Sequence, residues 1–87
     1  MENPFIQHRD LLTFGGYSTS RFLRRVALSL WNGNGFQIAM HKIGSMDAMH
    51  YQIFQDMLAW YRKHGEGDPA FMKLCGELAE LEKGEQS

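Results

Sequence analysis

The side chains most capable of chemistry here are four histidines and one cysteine. His8, His41, His50 and His64 fall in four separate segments, and only His50 has another ligand type at helical spacing, Asp47. A zinc site needs three or four converging N, S or O ligands, and neither CxxC nor HExxH occurs. We therefore expect no metal and no other cofactor, and read the histidines as surface or packing residues. His64, just ahead of Gly65, suits a cation at a helix C-terminus. Cys75 would need an adjacent base to act as a nucleophile. Its place among Phe71, Leu74 and Leu78 instead gives the spacing of a small buried hydrophobe. Glu77, Glu80 and Glu82 read as a water-facing surface rather than an acid pair. Gly33-Asn34-Gly35 follows a helix pattern and lacks the Lys-Ser/Thr ending of a phosphate loop. The expectation is a protein that is not an enzyme.

Arg21, Arg24 and Arg25, with Arg9 upstream, form the one basic cluster. They suit either phosphate contact or docking on an acidic protein surface. The run from Gly16 to Arg21 has the look of a helix-turn-helix turn. Its hydrophobic template fails twice, because Gly15 stands before the turn and Arg25 falls at a late core position. Met40, Met46, Met49, Met57 and Met72 read as core filler that also suits an adaptable surface. Trp31, Trp60 and Tyr61 are the interface anchors if they are exposed, because Trp, Tyr and Arg dominate hot spots. The candidate partner-binding residues are thus Arg21, Arg24, Arg25, Trp31, Trp60 and Tyr61.

The chain that must position them has 87 residues, enough for one domain with a limited core. Six Phe, three Tyr and two Trp supply that core, since each large ring buries roughly 150–250 Å². The net charge of −1 argues against binding driven by counterion release. A single cysteine allows no internal disulfide and suits a cytoplasmic setting. No apolar run reaches the roughly 18 residues of a membrane span, and the first residues lack a signal-peptide layout. A monomer and a homodimer are both open.

The expected architecture is all-α, a compact bundle of three to four helices with one short extended segment near residues 36–41. It is a single domain over 1–87 with frayed ends at about 1–4 and 84–87. Asn3-Pro4 reads as a cap and first helical position, with Phe5, Ile6, Leu11, Leu12 and Phe14 as one apolar face before Gly15-Gly16. A second helix runs from about Thr19 to Trp31. Phe22, Leu23, Val26, Ala27 and Leu30 line its inner face, and Arg21, Arg24, Arg25 and Ser29 its outer one. Leu28 falls off that stripe and points to a second contact surface. Asn32-Gly33 stops the helix, both residues tolerating left-handed backbone.

Phe36 to His41 alternates with the period of a strand. It can thread its side chains into the core, pair with the N-terminal residues, or pair with its own copy across a dimer; the first is favoured. Ser45 or Asp47 caps a third helix of about 30 Å to His64. Its stripe is Met46, Met49, Ile53, Met57 and Trp60, widened by Phe54, Leu58 and Tyr61. Asp68-Pro69 starts a fourth, with Phe71, Leu74, Cys75, Leu78 and Leu81 inward and Gly84 as its end. Gly76 within it suggests close approach of another helix.

Four pieces of this pattern carry a resemblance: the aromatic-Asn pair Trp31-Asn32, Gly35-Phe36-Gln37-Ile38, the helix start Ile43-Gly44-Ser45-Met46-Asp47, and Asp56-Met57-Leu58. Together they resemble a family of small proteins carried by proteobacterial plasmids, phages and integrative elements, over about half the chain. The basic Met40-His41-Lys42 departs from the acidic residue usual there. The motifs are structural and the family has no established activity, so no functional residue carries over. The resemblance implies a setting in which such proteins act by binding. The expected function is a non-enzymatic protein-binding accessory protein of a phage or mobile element, an anti-CRISPR-like inhibitor of a host defence complex. The alternative is a small dimeric DNA-binding transcriptional regulator. The expected partner is a host protein or protein complex, with nucleic acid second and no membrane.

Overall fold

The computed structural model describes residues 3–14, 18–65 and 67–86, which form an all-α array of helical segments with no strand among them. Asn3 caps the first helix, its side-chain oxygen accepting the Phe5 N–H at 3.0 Å. Pro4 takes the first helical position, where an N–H would have no partner. The helix α1, Pro4–Gln7, bends at His8 (φ −106°, ψ 25°) into α2, Arg9–Phe14. Hydrogen bonding continues across the bend, the Leu12 N–H donating to the His8 carbonyl at 3.1 Å. The expected single helix is therefore two. Only Phe5 and Leu12 of its expected stripe are fully buried; Ile6 and Phe14 face outward. The expected stop at Gly15-Gly16 lies outside the described residues.

Helix α3, Ser18–Trp31, contacts α2 on one side and both later helices on the others. That is why Leu28 is buried together with Phe22, Leu23, Val26 and Ala27, the second contact surface its position indicated. The same crowding overturns one expectation: Arg24 is buried, not on an outer face.

The stop after Trp31 is made by Asn32. Its backbone and side-chain oxygens both accept the Gly35 N–H, at 3.2 and 3.3 Å, and its carbonyl also accepts from Phe36. No left-handed residue is used, since Gly65 is the one positive-φ position among the described residues. At Gly35 a Cβ would sit 2.9 Å from Asn32 Nδ2, so any larger residue there would have to push the Asn32 side chain aside.

Residues 36–39 carry no regular structure, and Met40–Ser45 winds into a 3-10 helix. The extended stretch thus ends before His41. Phe36 and Ile38 are half-buried against the core while Gln37 and Ala39 face out, so the alternation governs burial without strand pairing in the described chain.

Helix α4, Ala48–His64, follows Asp47, whose backbone is extended but whose carboxylate makes no cap. It ends as the sequence indicates, with Arg62, Lys63 and His64 in its last turn and Gly65 at φ 76° donating to the Tyr61 carbonyl. Met49 and Leu58 leave the expected stripe for the surface. Helix α5, Pro69–Gln86, starts as expected, Asp68 Oδ2 accepting the Phe71 N–H at 3.0 Å. It runs past Gly84. A Cβ on Gly76 would meet nothing within 4 Å. The close helix contact is one residue earlier, where Cys75 Sγ lies 3.6 Å from the Ala27 carbonyl of α3.

Helices α3, α4 and α5 thus form a bundle, with α1 laid across α4 and α5 and α2 across α3 and α5. Phe5 locks this lid: its ring meets Phe71 and Trp60 edge-on at 4.7 and 5.5 Å. The Cα radius of gyration of 12.0 Å matches the roughly 12 Å of a compact domain this long. No described helix is long and apolar enough to cross a membrane.

Candidate functional site: a basic groove beside α3

Positions four apart on a helix are neighbours on one face. Arg21 and Arg25 of α3 therefore project together, and the returning chain at Gln37, Ile38, Ala39 and Lys42 faces them. Phe22 forms the floor of this hollow of about 250 Å³. A second hollow, about 120 Å³, continues it toward the start of α3 and is lined by Ser18, Thr19, Phe22, Lys42, Ser45 and Met46. Phe22 and Lys42 belong to both, and no lining residue among the described ones is acidic. A larger hollow of about 510 Å³ lies by Ile6, Trp60 and His64. It exposes little of Trp60, whose ring is covered by the stacked His64 imidazole at 4.6 Å.

The arginine cluster divides. Arg24, 2 % exposed, turns inward to Glu82 Oε1 at 3.4 Å. Arg25 stays half-exposed and donates to Glu82 Oε2 at 2.7 Å. Its guanidinium carbon also lies 5.5 Å from the centroid of the Phe36 ring, within cation–π range. One carboxylate thus serves two guanidiniums. Glu82, expected to face water, is 7 % exposed and closes the inner end of α5 against α3. Arg21 and Lys42 are exposed and form no ion pair among the described residues. The three arginines do not share one exposed face, the arrangement a recognition helix on DNA would require.

Of the aromatic anchors, Trp60 is 3 % exposed, so the condition set for it fails: it is core. Tyr61 is half-buried, its hydroxyl donating to the Leu30 carbonyl at 2.9 Å. Trp31 is half-buried beside Phe36, ring centres 6.3 Å apart, and Phe36 also meets Arg25. The structure thus brings together Arg21 and Arg25, links Trp31 to Arg25 only through the Phe36 ring, and withdraws Arg24 and Trp60. Gln37, Ile38 and Lys42 were not singled out as site residues by sequence. The basic run Met40-His41-Lys42 was the available signal for Lys42.

The other titratable groups have structural surroundings. Asp47 Oδ1 and His50 Nδ1 lie 2.5 Å apart, and that hydrogen bond holds the Asp47 carboxyl below its ordinary range. No group of three or more His, Cys, Asp or Glu capable of holding a metal occurs among the described residues. Burial pushes the Cys75 thiol up from 9.0 to about 12, far from the lowered values of reactive cysteines. Above 9.0 the unfolded chain releases a proton that the fold retains until about 12. Stability from this group is therefore complete below pH 9.0 and declines as pH rises toward 12. Guanidinium unfolding of wild type should lose up to about 1.4 kcal/mol per pH unit across that window relative to Cys75→Ala; parallel profiles would refute the assignment.

Comparison with protein-family models, with curated proteins and with solved structures finds no match to this chain.

Proposed function

We propose that this chain is a non-enzymatic binding domain whose outer α3 face engages a protein partner. The observation that carries the reading is the junction of Arg21, Arg25 and Lys42 with the apolar Phe22, Ile38 and Met46 in two neighbouring hollows that share Phe22 and Lys42. Guanidinium, ammonium and apolar groups are the materials of recognition, and arginine beside aromatic rings is the typical composition of a binding hot spot. Arg25, held by Glu82 and Phe36, is pre-oriented, so little side-chain freedom is lost when a partner arrives. The resemblance over residues 22–61 suggests the setting of a phage or mobile element. In that setting the partner is a host protein complex, such as a defence nuclease, that is blocked by occupation. Affinity purification from the native host followed by mass spectrometry should enrich one partner at near-stoichiometric yield. Enrichment of nothing above a tag-only control would remove the reading.

A further inference from the structure

The chemistry of the groove narrows what it holds, if the protein-binding reading on which this step rests is right. We propose that the groove binds an acidic segment of a partner protein in which carboxylates flank an apolar side chain.

Three observations support this. First, the cations stand on both walls: Arg21 and Arg25 on α3, and Lys42 on the returning chain. An extended or helical segment passing between them meets positive charge on either side. Arg21 is unengaged among the described residues and presents a planar fork suited to two carboxylate oxygens. Second, no acidic side chain lines the hollow among the described residues, and Arg21 and Lys42 stand exposed there. Third, partly exposed apolar side chains line the hollows, Ile38 in one and Met46 in the other, above the buried Phe22. A purely anionic ligand would leave Ile38 and Met46 wet, whereas an apolar side chain between two acids covers them and gains the burial.

The same observations favour polypeptide over nucleic acid. Strong phosphate-backbone binding draws on many cations, commonly about 6–10 contacts, and this groove offers three on a chain of net charge −1. Single strands are held by bases stacking on exposed rings, and the one ring in the floor, Phe22, is 4 % exposed.

The test uses the full chain and three fluorescent probes: a decapeptide alternating paired acids with leucine, its Gln/Asn counterpart, and a single-stranded DNA decamer. Anisotropy should saturate with the acidic peptide and not with the neutral one. Amide shifts in a nitrogen–proton correlation spectrum should centre on Arg21, Arg25, Ile38 and Lys42. The double variant Arg21→Glu, Lys42→Glu changes two exposed residues and should keep its melting curve while losing affinity at least about tenfold. Equal affinity of the variant, shifts elsewhere, tighter binding of the DNA, or no saturable binding would each overturn the proposal. So would a wild-type chain that dimerises through this face and becomes monomeric in the variant. If host capture succeeds while the acidic peptide fails, the partner reading stands and the groove assignment falls. If capture fails while the peptide binds, the groove assignment stands and the host-partner reading falls.

Discussion

Glu82→Ala should lower the unfolding free energy by about 3–5 kcal/mol. Glu82 sits at 7 % exposure with Arg24 at 2 %, so its removal takes a carboxylate from beside a guanidinium in the interior. Stripping one partner from a buried pair costs far more than the pair contributes, because the remaining charge has lost its water as well. Arg25 suffers less, since it is half-exposed and can rehydrate. At the usual 0.05–0.15 kcal/mol per residue, a domain of this length has roughly 4–13 kcal/mol of stability in total, so the loss is a large part of it. Urea titration of wild type, Glu82→Ala and the double variant Arg24→Met, Glu82→Leu separates the causes. The double variant should recover most of the loss, as apolar replacements of buried ion pairs commonly do. A single variant within about 1 kcal/mol of wild type would mean that the pair is solvated like a surface bridge.

Phe5→Ala should cost a comparable amount, about 3–5 kcal/mol. The residue is only the fifth of the chain, yet it is completely buried and meets Phe71 and Trp60 edge-on. Each such ring pair adds roughly 0.5–1.5 kcal/mol beyond the area it covers. Short helices such as α1 and α2 have little stability of their own, so their hold on the bundle depends on this side chain and on Leu12. The variant should also red-shift tryptophan emission as water reaches Trp60. Ile6→Ala, one residue on but outward-facing, should stay within about 0.5 kcal/mol of wild type. Equal effects at the two positions would contradict the lid arrangement.

The helices were legible because their ends are chemically marked. Asn3-Pro4, Asp68-Pro69 and Lys63-His64-Gly65 each act as their residue types require. Helix count was less legible, because nothing at His8 announces a bend. The inward turn of Arg24 was legible only in part. Leu28 marked a second buried side of α3, and Arg24 lies four residues before it on that side. Glu82 likewise follows Leu78 by four residues on the inner stripe of α5. An arginine and a glutamate, each at an apolar position, are complementary, but single-helix patterns cannot show that α3 and α5 bring them together. The groove was hidden for a related reason. Its second wall comes from residues 37–42, and only the fold-back of that segment sets Lys42 against Arg21 and Arg25.

If the outer α3 face holds a protein partner through Arg21, Arg25 and Lys42, charge reversal there must release that partner. Affinity capture from the native host with wild type and Arg21→Glu, Lys42→Glu side by side, at matched melting temperature, tests this most directly. The predicted result is a partner retained by wild type and lost from the variant. The same partner retained equally by both chains would contradict it.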